Sequence, residues 1–310
     1  MKEKMKNSYL FLFLKNRPLQ MAGLIITIFS ILMVLFGPYL VPNSPTTGIS
    51  GEQLLPPCAK YPFGTDVNGM CVFSRTIAAY RTDLSIVVAG ALLALGVGFP
   101  VGVFAGYFDG KKGVCGVLST IILRVMDVMQ AFPIFVLGLL LVAIFGPSTR
   151  NLILLIGIAN LPGNLRLARS EVMTLREKSF VEAARTAGNS EVRIAFLHIA
   201  PNALAPVIAL LSVVMGFGIL LIAGLSFVGA GVRVPTPEWG SMIASGGLTM
   251  ITGQWWPSVF PGLFMAVTVF GFSMVGDIIT ALIDPLERVV FESSRGQTRR
   301  GKKDELSVGN

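Results

Sequence analysis

Long apolar runs recur along the chain and decide which solvent can surround it. Residues 19–41, 84–104 and 117–145 contain few charges. At ~1.5 Å per helical residue, about 20 such residues cross the ~30 Å hydrocarbon core of a bilayer. A soluble chain carries roughly a quarter charged residues, whereas this chain has 14%. We therefore predict an all-α, polytopic membrane protein.

Three further runs, residues 152–161, 204–228 and 259–283, bring the predicted number of transmembrane helices to about six. The first of these is short, but its apolar pattern continues through Pro162 to Val172. We therefore expect one helix that is kinked near Pro162.

Lys and Arg are distributed unevenly between the predicted spans. With a cytoplasmic N-terminus, the inner segments hold 19 of the 25 Lys and Arg residues, and the outer segments hold 5. Cytoplasmic loops carry excess positive charge, so both termini are predicted to be cytoplasmic. The net charge of +8 then reflects topology, and nucleic acid is not an expected partner.

This topology divides the chain into three predicted parts. Residues 1–18 form a cytoplasmic N-terminal segment, and residues 19–290 form the transmembrane domain. Within that domain, 42–83 is an outer loop and 163–203 a cytoplasmic loop. Residues 291–310 are polar and charged, which predicts a disordered cytoplasmic tail.

The cytoplasmic loop contains the signals of a short helix. Ser179 followed by Glu182 matches a capping box, and Gly188 stands where a helix commonly ends in a left-handed residue. On these signals alone, the segment is equally well interpreted as an amphipathic connector lying on the membrane.

The same loop resembles the EAA loop of ABC importer permeases, through Glu182-Ala183-Ala184, Gly188 and Ile199-Ala200-Pro201. This chain has Ala200 where the family often has Leu. The resemblance implies that the short helix docks on a separate ATPase subunit. The residues implied in this coupling are Phe180, Glu182, Ala183, Ala184, Arg185 and Gly188.

The resemblance extends over about 270 residues and is most similar to the C-type permease of oligopeptide, dipeptide and nickel importers. That family implies the type I ABC importer permease fold. Segments that match it are Phe63-Gly64-Thr65-Asp66, Ala105-Gly106-Tyr107-Phe108, Ala131-Phe132-Pro133, Gly224 to Gly229, Pro235-Thr236-Pro237, Trp239-Gly240, Gly276-Asp277 and Asp284-Pro285.

The resemblance also implies partners and a location. The partners are a second, B-type permease, two ATPase subunits, an extracytoplasmic solute-binding protein and membrane lipid, in a bacterial or archaeal cytoplasmic membrane. ATP and Mg are expected on the ATPases, because this chain has no G-x-x-x-x-G-K-[ST] motif. No catalytic residue, cofactor or metal is expected here. The solute class remains open between dipeptides, oligopeptides, glutathione-like molecules and nickel chelates.

Two pairs of residues are candidate sites outside the loop. Arg124 and Asp127 are spaced i, i+3 in the third run, and we interpret them as an intramembrane ion pair, with a functional role as the alternative. Cys58 and Cys71 are predicted to form a disulfide, since both lie in the outer loop, where the compartment is oxidising. Two unpaired thiols are the alternative there.

Two other classes of protein are alternatives to an importer subunit. A secondary transporter or channel without ATPases would typically show paired interrupted spans or relay charges. A membrane-embedded enzyme would need clustered acid–base or metal groups. Neither pattern is present, so an ATP-driven importer of peptide-like solutes that works by alternating access is preferred.

Overall fold

A computed structural model describes residues 17–283. The predicted tail, 291–310, and most of the N-terminal segment therefore lie outside the described residues. In the described part the chain is helical, and the only β-type pairing is an isolated bridge between Thr65 and Cys71. The helices are α1 (Pro18–Leu40), α2 (Val72–Phe108), α3 (Val114–Ala131), α4 (Ile134–Phe145), α5 (Thr149–Arg176), α6 (Ser179–Thr186), α7 (Glu191–Phe227), α8 (Trp239–Thr249) and α9 (Trp256–Ile283).

Six of the described helices are long and apolar enough to cross a bilayer: α1, α2, α3, α5, α7 and α9. The prediction of an all-α membrane protein with about six spans is confirmed. Pro162 lies inside α5, which runs without interruption from Thr149 to Arg176. The short fourth run is therefore part of one long helix, as expected.

The second span begins earlier than predicted. α1 ends at Leu40 and α2 starts at Val72, so the loop between them is shorter than 42–83. Hydropathy misses this start because Arg75 and Asp83 lie within the helix. Both side chains are buried, and Arg75 is 3.4 Å from the carboxylate of Asp66.

The cytoplasmic loop is also shorter than the predicted 163–203. α5 continues to Arg176 and α7 begins at Glu191, so 177–190 connects them. Polar residues extend both helices beyond their apolar runs. Hydropathy alone therefore placed the end of α5 too early and the start of α7 too late.

The predicted third run, 117–145, is divided into two helices. Phe132 has extended backbone angles, φ −84° and ψ 127°, between α3 and α4. Pro133 explains the break, because proline disfavours helical geometry in the residue before it and has no N–H to donate.

The helices α2 and α5 pack closely because glycines line their interface. A Cβ on Gly102 would lie 2.5 Å from the carbonyl oxygen of Leu165, and one on Gly106 would lie 2.7 Å from that of Arg169. Small residues allow such close backbone contact between membrane helices. The contact brings the last turns of α2 and α5 together, beside α6.

Candidate coupling site

The helix α6 lies between α5 and α7 and contains the EAA-like residues. It begins at Ser179, with Lys178 in the N-cap position and no side-chain cap. The predicted capping box is therefore wrong by one residue, because Ser179 is already helical and its hydroxyl does not cap the helix. Glu182 still lies in the first turn, where the helix dipole favours an anion.

The two faces of α6 have opposite character. Val181 and Ala184 are buried, at 1% and 8% exposure, whereas Phe180 is 39% exposed. Glu182, Ala183 and Arg185 also lie on the exposed face. The buried face packs on a cluster built from α2, α5 and α7, whose members include Val103, Tyr107, Phe108, Val172, Ile194, Ala195 and Ile199.

The end of α6 is fixed by a tight turn. Gly188 has φ +80°, a left-handed conformation that glycine adopts without penalty, as expected from the sequence. Its N–H donates to the carbonyl oxygen of Arg185 at 3.0 Å. The Asn189 side chain donates to the carbonyl oxygen of Ala184 at 2.9 Å, so the last carbonyls of the helix have partners.

A polar cluster that the sequence did not reveal holds α6 to the neighbouring helices. The carboxylate of Glu191 accepts from the Lys111 ammonium at 2.5 Å, the Tyr107 hydroxyl at 2.9 Å and Arg185 Nε at 3.1 Å. Hydrogen bonds with Tyr107 and Glu191 raise the pKa of the Arg185 guanidinium. Glu191, at the start of α7, is therefore linked to Arg185 of α6, to Tyr107 of α2 and to Lys111 in the turn that follows α2.

The start of α7 is irregular next to this cluster. Residues Ile194–Ile199 form a π-helical turn, followed by regular helix from Ala200. Such turns occur frequently at functional sites. Pro201 contributes to the irregularity because it has no N–H for the preceding turn. Ile199 and Ala200 of the matched motif are buried against the same cluster as α6.

The ion pair predicted between Arg124 and Asp127 is present at 3.6 Å, but it belongs to a larger cluster. Arg166 of α5 contacts Asp127 at 2.7 Å, and it also donates to the side chain of Gln130. Sequence spacing identifies neighbours on one helix, so it missed the residue contributed by α5.

The predicted disulfide between Cys58 and Cys71 is wrong in this structure. Both are free, with Cys58 exposed and Cys71 buried. The N-cap of α2 is Cys71, whereas the Cys58 N–H donates to the carbonyl oxygen of Tyr61. Two cysteines that lie in the same compartment and close in sequence need not have thiols oriented toward each other.

The fold and the loop geometry define a membrane component of a transport system, and comparison identifies its family. The family described as the binding-protein-dependent transport system inner membrane component matches residues 98–289, and the N-terminal transmembrane domain of oligopeptide transport permease C matches residues 10–57. The chain therefore belongs to the ABC importer permeases. It is a multi-pass inner-membrane subunit and not an enzyme.

Relatives match nearly end to end. The dipeptide transport permease DppC of Alkalihalophilus pseudofirmus is 38% identical, over 88% of this chain and 87% of that protein. The di/tripeptide permease DppC of Pseudomonas aeruginosa is 34% identical, over 86% and 87% respectively. The dipeptide permease DppC of Bacillus subtilis is 33% identical, over 88% and 83%.

Proposed function

We propose that the chain is the C-type permease of an importer of dipeptides and other short peptides, with both termini in the cytoplasm. The names of the relatives support the solute class. The excess of Lys and Arg in the segments on the α6 side of the bundle supports the orientation.

The two-sided character of α6 carries the proposal. An exposed Phe180 on a short polar helix is an anchor that a partner can cover, while Val181 and Ala184 fix the helix to the bundle. Movement of an ATPase bound to the exposed face is thereby transmitted to α2 and α7. We assign ATPase docking to Phe180, Glu182, Ala183, Ala184, Arg185 and Gly188, of which Ala184 acts from the buried face and Gly188 through the turn.

The complete transporter would contain this chain, a B-type permease, two ATPase subunits that hold ATP and Mg, and a solute-binding protein. The solute-binding protein would dock at the opposite end of the bundle, where the loop after α1 and the segment around α8 lie. Trp256, the first residue of α9, contacts both elements: it packs in one cluster with Met242 of α8, and its indole N–H donates to the carbonyl oxygen of Thr65 at 3.1 Å.

Uptake of a labelled dipeptide by the assembled transporter tests the coupling assignment. Glu182→Lys reverses a charge where the helix dipole favours an anion by ~0.3–1 kcal/mol, and we expect it to abolish uptake and ATPase co-purification at normal membrane abundance. Glu177→Lys is the matched control, since Glu177 lies outside α6 with its side chain 76% exposed. Normal uptake by the Glu182 variant would contradict the assignment.

The native cysteines test the orientation. Cys58 is exposed in the loop after α1, and Cys115 is exposed at the start of α3, so the two lie at opposite ends of a span. A membrane-impermeant maleimide should label Cys58 in intact cells and Cys115 only after permeabilisation. The reverse order would overturn the proposed topology.

A further inference from the structure

A group of charged side chains faces outward from α3 and α5. Asp127 lies between two guanidinium groups, 2.7 Å from Arg166 and 3.6 Å from Arg124. Gln130, one turn further along α3, accepts a hydrogen bond from Arg166. Two cations around one carboxylate leave the group with a net charge of +1.

These charges lie within two helices that are long and apolar enough to span a membrane. Asp127 is 13 residues from the start of α3, which at ~1.5 Å per residue is about 20 Å. Arg166 is 10 residues from the end of α5, or about 15 Å. Their side chains are nevertheless half-exposed, and that of Arg124 is 80% exposed. Charges within membrane-spanning helices almost always face the bundle interior or a water-filled cavity rather than lipid.

An apolar cavity of about 480 Å³ lies directly beside the charged group. It is formed where the chain breaks between α3 and α4, and its lining includes Phe132, Pro133, Ile158, Pro162 and Gln130. Gln130 thus belongs to both the cavity and the charged group. A volume of this size is within the ~300–1,000 Å³ typical of small-molecule sites.

We propose that this surface holds the peptide during translocation, with the peptide's C-terminal carboxylate on Arg124 and Arg166 and an apolar side chain in the cavity. The inference rests on the proposed peptide transport. Arg124 has donors to spare, because its one described contact is the 3.6 Å pair with Asp127. Arginine suits this role, since its planar fork matches a carboxylate.

The dimensions agree with a dipeptide. Arg124 and Gln130 are six residues apart on α3, which corresponds to about 9 Å along the helix. An extended dipeptide spans about 7 Å. A carboxylate at Arg124 therefore places the neighbouring side chain within reach of the cavity, whose lining on α3 runs from Val128 to Gln130.

The carboxylate assignment is tested with the transporter assembled with its own partner subunits, using alanyl-phenylalanine and its C-terminal amide. Wild type should transport the acid with about a ten-fold lower KM than the amide, as expected for one charge-assisted hydrogen bond. Arg124→Gln should raise the KM of the acid about ten-fold and leave that of the amide unchanged. Arg150→Gln, the same change near the other end of α5, should alter neither.

The cavity is tested by filling it. Ile158→Trp should reduce uptake of alanyl-phenylalanine at least five-fold more than uptake of alanyl-alanine. Equal reduction of the two peptides would overturn the cavity assignment.

Three results would overturn the carboxylate assignment. Equal KM values of acid and amide in wild type would show that the carboxylate is not recognised. Loss of B-type permease co-purification in Arg124→Gln would show a subunit contact instead. Absence of any peptide uptake by wild type would refute the proposed function itself, and the inference with it.

Discussion

The two ends of the bundle are held together by different physics. At the end that carries α8, polar contacts are buried. Trp239 is fully buried, and its indole N–H donates to the carbonyl oxygen of Thr76 at 3.0 Å. Its backbone N–H donates to the carboxylate of Asp83 at 3.1 Å, and its ring packs edge-on against Tyr80 at 4.7 Å.

At the end that carries α6, the polar contacts that hold this helix are more exposed to solvent. Two small side chains, Val181 and Ala184, supply the buried face of the helix. The polar anchor, Glu191, has a side chain that is 44% exposed, and its partner Lys111 is 34% exposed. Ion pairs at this exposure contribute ~0–1 kcal/mol.

This difference suits an importer. Loss of buried, hydrogen-bonded contacts is costly, so the α8 end would give the proposed solute-binding protein a stable surface. Elements with few buried contacts open locally at low free energy, so α6 can change position without unfolding the bundle.

Trp239→Ala should destabilise the protein most, because it leaves a large cavity and removes an indole donor from a buried carbonyl. We expect a loss of about 3–5 kcal/mol, measured by thermal unfolding in detergent. The control is Trp255→Ala, since Trp255 is 46% exposed. Equal destabilisation by the two variants would show that the α8 end is not the rigid part.

Val181→Ala should loosen α6 without unfolding the bundle. Removing two buried carbons at ~0.8 kcal/mol each, with a small cavity term, costs about 2 kcal/mol. Hydrogen exchange of amides 179–186 should then accelerate about 30-fold, with exchange in α2 unchanged.

Phe180→Ala is the matched control for that variant, because Phe180 lies on the exposed face. It should weaken ATPase binding and leave amide exchange unchanged. Equal acceleration of exchange by Phe180→Ala would contradict the division of α6 into an anchoring face and a docking face.

Glu191→Gln should have a smaller effect. The amide keeps hydrogen-bonding capacity but loses the ionic attraction of Lys111 and Arg185, so exchange in α6 should rise by no more than about five-fold. The effect should shrink in high salt, which screens exposed charges. Glu177→Gln serves as the control. A salt-independent effect above ten-fold would show that the cluster is stronger than its exposure indicates.

The sequence predicted the number of spans and the position of the short helix α6 because both are local patterns. Apolar length determines a span, and the EAA-like motif is contiguous. The Glu191 cluster was missed because Lys111 and Glu191 are far apart in sequence and come together only when α2 packs on α7. Arg166 was missed beside Asp127 for the same reason. The start of α2 was misplaced because Arg75 is charged. Hydropathy places a charged residue outside a span, whereas Arg75 is buried within the helix.

The smallest effect is expected at Cys58. The outer loop is closed by other contacts: Glu52 accepts from Lys60 at 2.5 Å and also from the Tyr61 hydroxyl, while Asp66 pairs with Arg75. With both thiols free, Cys58→Ser should change the free energy of unfolding by less than about 0.5 kcal/mol, as for an ordinary surface substitution. A disulfide closing a loop of this length would instead contribute about 3 kcal/mol.

In oxidised membranes treated with maleimide, Cys58 should be alkylated without reductant and Cys71 only after unfolding. Recovery of a linked Cys58–Cys71 peptide on non-reducing mapping would restore the disulfide and add a covalent tie to the more rigid end.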